Sequence, residues 1–223
     1  MSLKSAVLNA SPPWLRRFAE GEKFLKDERG VAAIEFALVL PVVLLILLGC
    51  FEVPRFVLIY QKLARTASGV ADLVAQGDEP LQKNQMNDIF IAGKVMMQPY
   101  DVIANGKIIV SSINNPSPSC SGSTGVKVTW QKDNGGNAKD PVTGNPSGSR
   151  VGTKCQTPVL PATLMPGTNE EVLAAEVYFN YTPIFANLIY KGSQLYQIAY
   201  TRPRNKNLMT EPPTTCTPPA TQC

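Results

Sequence analysis

Hydrophobic positions follow two regimes along the chain. From Val31 to Phe51 they run almost unbroken, 21 residues with Glu35 the single charge. A helix rising about 1.5 Å per residue reaches roughly 32 Å over that stretch, enough to cross a bilayer core. The run therefore predicts a membrane-spanning helix over residues 31–52. Beyond Pro54 the pattern changes: Phe56, Ile59, Tyr60, Leu63, Ala67, Val70, Ala71 and Val74 recur near a 3.6-residue period, opposite Gln61, Lys62, Arg65, Ser68 and Asp72. Gly77 and Pro80 then supply a stop. The expectation is one helix of roughly 45 residues, half in lipid and half presenting one apolar face to its own domain. Pro41 and Pro54 each remove a backbone donor and can bend it.

A second helical pattern places Leu81, Met86, Ile89, Phe90, Gly93 and Met97 on one side and stops at Pro99. Strand patterns follow. Tyr100–Ala104 and Lys107–Ile113 flank Asn105-Gly106, a strong hairpin signal because both residues tolerate positive φ. Gly125–Gln131, Val172–Tyr181 and Gln194–Arg202 read as three further strands, and residues 184–190 as a helical turn. The fold class is α+β: a long N-terminal transmembrane helix continuing into a domain with a mostly antiparallel sheet, one apolar face of which the outer half of the first helix would cover. The predicted divisions are a leader over 1–30, the span over 31–52, helices over 53–98, the sheet domain over 99–205 and a Pro/Thr/Cys tail over 206–223. Within the sheet domain, residues 132–169 contain 22 Gly, Pro, Ser, Thr or Asn, which predicts a long surface loop.

Charge sets the orientation. Residues 1–29 carry six basic side chains, Lys4, Arg16, Arg17, Lys23, Lys26 and Arg29, against four acidic ones, so this side is expected to stay in the cytoplasm. Everything beyond Phe51 would then lie outside. Within that leader, Pro12-Pro13 followed by Trp14, Leu15, Phe18 and Leu25 reads either as a short interfacial helix or as a segment removed on processing. The formal charge of +4 is modest and no dense basic face argues for nucleic acid. There is no histidine, which excludes Ser-His-Asp and Cys-His catalysis and His-ligated zinc or haem. No cofactor, metal or catalytic residue is expected.

Cys120, Cys155, Cys216 and Cys223 lie beyond the span, an even count that predicts two disulfides in an oxidising compartment. Four cysteines permit three pairings, and proximity favours Cys120 with Cys155, bracketing most of the long loop, and Cys216 with Cys223. Their spacing lacks the CxxC pairs of a zinc site. Leu47-Leu48-Gly49-Cys50 resembles a lipobox, so one rival reading is a lipoprotein cut before Cys50; the other is that Cys50 is a small apolar residue of the span. Trp130, Tyr178, Phe179, Tyr181, Tyr196 and Tyr200 alternate along strands as core and cross-strand pairs do.

Glu35 carries the remaining signal. A carboxylate inside a spanning helix costs about 2.5–3.5 kcal/mol at the bilayer centre and less near an end. It sits five residues after Gly30. Gly30-Val31-Ala32-Ala33-Ile34-Glu35-Phe36 resembles a type IV prepilin cleavage site, and the longer string from Arg29 to Val74, with Glu52 and Arg55, resembles the TadE-like family of the Tad (Flp) pilus system. A weaker second patch, residues 170–185, is similar to the same family. The resemblance implies a pilin-like head, cleavage by a prepilin peptidase between Gly30 and Val31, and a new α-amino group at Val31 one turn from Glu35. It also implies an inner-membrane location with helix packing against other pilin-like subunits and the Tad machinery, as a minor pilin or pseudopilin. Major Flp pilins carry Tyr where this chain has Phe36, and are much shorter. Two other classes remain open: a signal-anchored binding or sensor module, and a membrane-tethered enzyme built on Lys, Asp or Glu.

Overall fold

The computed structural model describes residues 29–77, 81–116, 120, 124–136, 148–184, 192–204 and 211. The interfacial segment read over 12–25, the helical turn beyond Ile184, and Cys216 and Cys223 lie outside them. The chain divides into two compact units, Met1–Val53 and Pro54–Cys223. Helix α1 (Arg29–Ala75) contributes to both.

In the first unit, the described part of α1 is long and apolar enough to cross a membrane. Every side chain from Gly30 to Leu47 is exposed, with Leu38 at 74% and Ile46 at 62%. No water-soluble domain leaves such a surface uncovered. A surface of this kind suits a bilayer and suggests membrane anchoring.

The second unit is a four-stranded antiparallel sheet with helices on one face. Its strands are β1 (Gly106–Asn115), β2 (Lys127–Asp133), β3 (Glu170–Tyr181) and β4 (Ser193–Thr201), in the order β2-β1-β3-β4. Here α1 turns amphipathic, and Ile59, Leu63, Val70 and Val74 are fully buried. Each such side chain stabilises the head by about 1.5–3 kcal/mol. They pack with Met86, Ile89 and Met97 of α2 (Lys83–Met97) against Ile108, Val110, Trp130, Leu173, Ala175 and Val177 of the sheet. Gly93 lets α2 come close: a Cβ there would lie 2.7 Å from Ile108 Cδ1 and 3.0 Å from Val70 Cγ2. After β4 the chain returns to α1, where Arg204 N donates to Ala75 O and its guanidinium pairs with Asp72 at 3.0 Å.

Two sequence expectations are corrected. Tyr100–Ala104 is not a strand, and Asn105-Gly106 is not a hairpin turn. Asp101 instead caps a short helix, α3 (Val102–Asn105), its carboxylate accepting from Ile103 N at 2.9 Å and Ala104 N at 3.2 Å. Those bonds hold the Asp101 carboxyl below its ordinary value. Gly106 has extended backbone and opens β1. Glycine is needed there because a Cβ would fall 2.2 Å from Tyr178 O of the neighbouring strand. The sheet thus has four strands rather than five, and β1 pairs with β2 and β3.

The second correction concerns the other sheet face, which is covered as well. Residues 148–160 of the long loop lie over it, with Val151 and Leu160 packed on Ile113, Val128 and Ala174. Their backbone also extends the β2 edge, where Cys155 N donates to Val128 O and Val128 N to Gln156 O, and closes on itself where Val159 N donates to Val151 O. A disulfide joins Cys155 to Cys120.

Candidate functional site

Gly30, Val31, Glu35 and Phe36 occupy the first two turns of α1. A Cβ at Gly30 would meet nothing within 4 Å, Val31 is 51% exposed and Phe36 64%. Four residues make about one turn, so Val31 and Glu35 share a face. The structure therefore brings the two ends of the predicted processing and assembly motif together on one exposed apolar helix. Cys50 is an exposed free thiol on the same helix.

Cys120 and Cys155 belong to the second unit, where they secure the strap over the outer sheet face. The strap is also latched by a group that sequence reading passed over. Glu176 stands in the middle of β3 with no exposed surface. Its Oε1 accepts from Arg150 N at 2.8 Å, Tyr196 Oη at 2.9 Å and Tyr178 Oη at 3.3 Å, and its Oε2 accepts from Ser149 Oγ. The Arg150 guanidinium lies 4.1 Å from the centre of the Tyr196 ring. Burial pushes the Glu176 carboxyl above its ordinary value, and the four hydrogen bonds only partly oppose that. Burial, then the charge of Glu176, raises the Tyr196 and Tyr200 phenols. The available signal was a carboxylate inside the apolar run Ala174-Ala175-Glu176-Val177. Its strap partners were not legible, since Ser149 is 27 residues away.

On the opposite face, Glu171 accepts from Ser112 Oγ at a buried polar end of the sheet. At the β2 edge, Glu211 pairs with Lys132 and Lys154. Burial raises the Glu211 carboxyl, but the two lysines outweigh it and hold the group below its ordinary value. Among the described residues no group of three or more Cys, Asp or Glu side chains is arranged to hold a metal ion. These polar clusters hold secondary elements together, whereas the start of α1 offers an uncovered surface carrying one carboxylate.

No curated protein and no solved structure matches the chain. A family model described as TadE-like protein matches residues 30–72. The match begins at Gly30, runs through the exposed apolar half of α1 and ends at Asp72 on its amphipathic half. Through these residues the chain is similar to TadE-like proteins.

Proposed function

We propose that the chain is a minor pilin or pseudopilin of a Tad pilus system, anchored in the bacterial inner membrane with its second unit in the periplasm. A prepilin peptidase cuts between Gly30 and Val31. The observation that carries this reading is the start of α1: a carboxylate one turn from the cut, on a helix whose surface is exposed from Gly30 to Leu47. Cleavage places an ammonium at Val31. That charge offsets the cost of keeping Glu35 ionised at the edge of the membrane, within the chain or across to a neighbouring subunit, and the helix N-terminus adds about 0.3–1 kcal/mol in the same direction. The apolar flank of α1 then packs against other pilin-like helices as the machine initiates, stabilises or caps its fibre.

The test is intact-mass and N-terminal sequencing of the membrane-extracted protein, from cells with and without the peptidase. A mature start at Val31 that depends on the peptidase is the expected result. A start at Met1 supports a signal-anchored module instead, and a start at Cys50 a lipoprotein. In the same cells Glu35→Ala inserts normally and is cut but fails to support piliation; normal fibres from that mutant would remove Glu35 from assembly.

A further inference from the structure

The apolar surface of α1 does not end where the uncharged run ends. Within the second unit, Val57 and Leu58 are 43% and 56% exposed, Tyr60 46%, and nearby Ile184 64%. One turn farther on, the outward positions become Gln61, Arg65, Ser68 and Asp72, all exposed and all polar. The change from apolar to polar on the solvent side therefore falls between Leu58 and Gln61, seven to ten residues after Phe51.

The side chains at this level have the composition of a membrane–water boundary. Phe56 stacks with Tyr60 at 6.4 Å and meets Tyr181 edge-on at 5.4 Å. Arg55 donates to Thr182 O at 3.3 Å, with its guanidinium 5.6 Å from the centre of the Tyr181 ring. Aromatic rings with a polar edge concentrate at the headgroup level, and long cationic side chains lay their stems along apolar surface there. Length agrees. Val31 to Tyr60 is 30 residues of helix, about 45 Å, against roughly 40–45 Å for a bilayer with its headgroup layers, whereas Val31 to Phe51 matches only the hydrocarbon core.

We infer that the lip of the head formed by Phe56, Val57, Leu58, Tyr60 and Ile184, backed by the buried Tyr181, is a lipid-contacting surface that rests in the outer headgroup layer of the bilayer, with the water boundary at Tyr60–Gln61. The occupant is lipid rather than another protein because the patch continues an apolar stretch that already requires a bilayer.

This inference rests on α1 crossing a membrane, so the experiment reads the two separately. The full chain carries Cys50→Ala, Cys216→Ser and Cys223→Ser, with the Cys120–Cys155 disulfide left oxidised. Single cysteines at Leu44, Leu58 or Ser68 receive an environment-sensitive fluorophore in phosphatidylcholine–phosphatidylglycerol vesicles. The quenchers are aqueous iodide, a headgroup nitroxide lipid and a deep acyl-chain nitroxide lipid. The expected result is deep quenching at Leu44→Cys, headgroup quenching with several-fold lower iodide access at Leu58→Cys, and full iodide access at Ser68→Cys. If Leu58→Cys is as open to iodide as Ser68→Cys while Leu44→Cys is quenched from the core, the lip is wet and the inference falls with the span intact. A Leu44→Cys label that no lipid quenches overturns the span and the inference together. Efficient disulfide cross-linking between Leu58→Cys copies at high dilution in lipid would assign the patch to a second copy, and would also overturn it.

Discussion

Glu176→Gln sets two opposing effects on one carboxylate against each other. Burial disfavours its charge, while four hydrogen-bond donors favour it, and burial is the larger effect. The sign follows by linkage. Below the ordinary value of 4.5 the group is protonated in both folded and unfolded chains and costs nothing. As pH rises from there to the raised folded value, only the unfolded chain releases its proton, so stability falls; above the folded value the loss is complete. Every tenfold difference in acidity between the unfolded and the folded carboxyl corresponds to about 1.4 kcal/mol.

Glutamine mimics the protonated acid without titrating. Its Oε1 can keep the bonds from Arg150 N, Tyr196 and Tyr178, and its amide can donate to Ser149 Oγ, whose hydroxyl is free to rotate. The expected outcome is near-equal stability of mutant and wild type at acid pH, with the mutant gaining about 1.4 kcal/mol for every pH unit crossed inside the window. The assay is urea unfolding of the full-length oxidised chain in detergent micelles, followed by the fluorescence of buried Trp130 in a Trp14→Phe background. Comparing mutant with wild type cancels the slopes of other groups, among them Asp101 and Glu211, whose depressed values act with the opposite sign. A mutant deficit that grows as pH rises would refute the reasoning, for it would mean that the donors outweigh burial and that the ionised form is the favoured one.

Replacing the Cys120–Cys155 pair by serines releases a loop whose ends are 35 residues apart, and is expected to cost about 3–4 kcal/mol of head stability in the same assay. Hydrogen exchange should then show loss of protection first at Arg150 N and Val159 N, the amides that hold the strap. Gly106→Ala drives a Cβ against the Tyr178 carbonyl, with β3 backbone as the obstacle, so a loss of about 1–3 kcal/mol is expected from thermal unfolding. Asp101→Ala removes the cap of α3 and should speed exchange at Ile103 and Ala104. In wild type the same local protection is present above the ordinary carboxylate value of 3.8 and lost as pH falls through the lower folded value.

The sequence carried α1, α2 and the three later strands because the surroundings of each impose a pattern of apolar positions. The span has no period, since lipid surrounds it; the outer half of α1 has period 3.6, since the sheet lies on one side. Residues 100–106 were harder because two local signals competed. Asn-Gly offers a turn through backbone freedom, and Asp101 offers a helix through two amide bonds; the second prevailed, and the glycine served close strand packing instead. The Cys120–Cys155 tie of the strap was legible from proximity, but its seat on the sheet was not, for a different reason. A loop rich in Gly, Pro and Ser shows no pattern of its own, and what fixes it is a carboxylate on β3 and a cysteine before β2. Such contacts depend on the completed sheet. At the start of α1 the motif from Gly30 to Phe36 can be read without a fold, because the processing and charge pairing proposed for it need only a helix.

The two halves of α1 answer different solvents, and their boundary explains where each charge sits. From Phe36 to Phe51 no charged side chain occurs, so no hydrogen-bond partner is required in that stretch beyond the helix itself. Glu52 and Arg55 come next, and Arg55 is already engaged with the Thr182 carbonyl and the Tyr181 ring, groups that only the folded head supplies. The head thus supplies the partners of this cation, so its placement depends on folding of the sheet. On the proposed placement, sliding α1 inward by one turn buries that guanidinium in hydrocarbon and sliding it outward exposes Val57 and Leu58 to water, so both displacements raise the free energy.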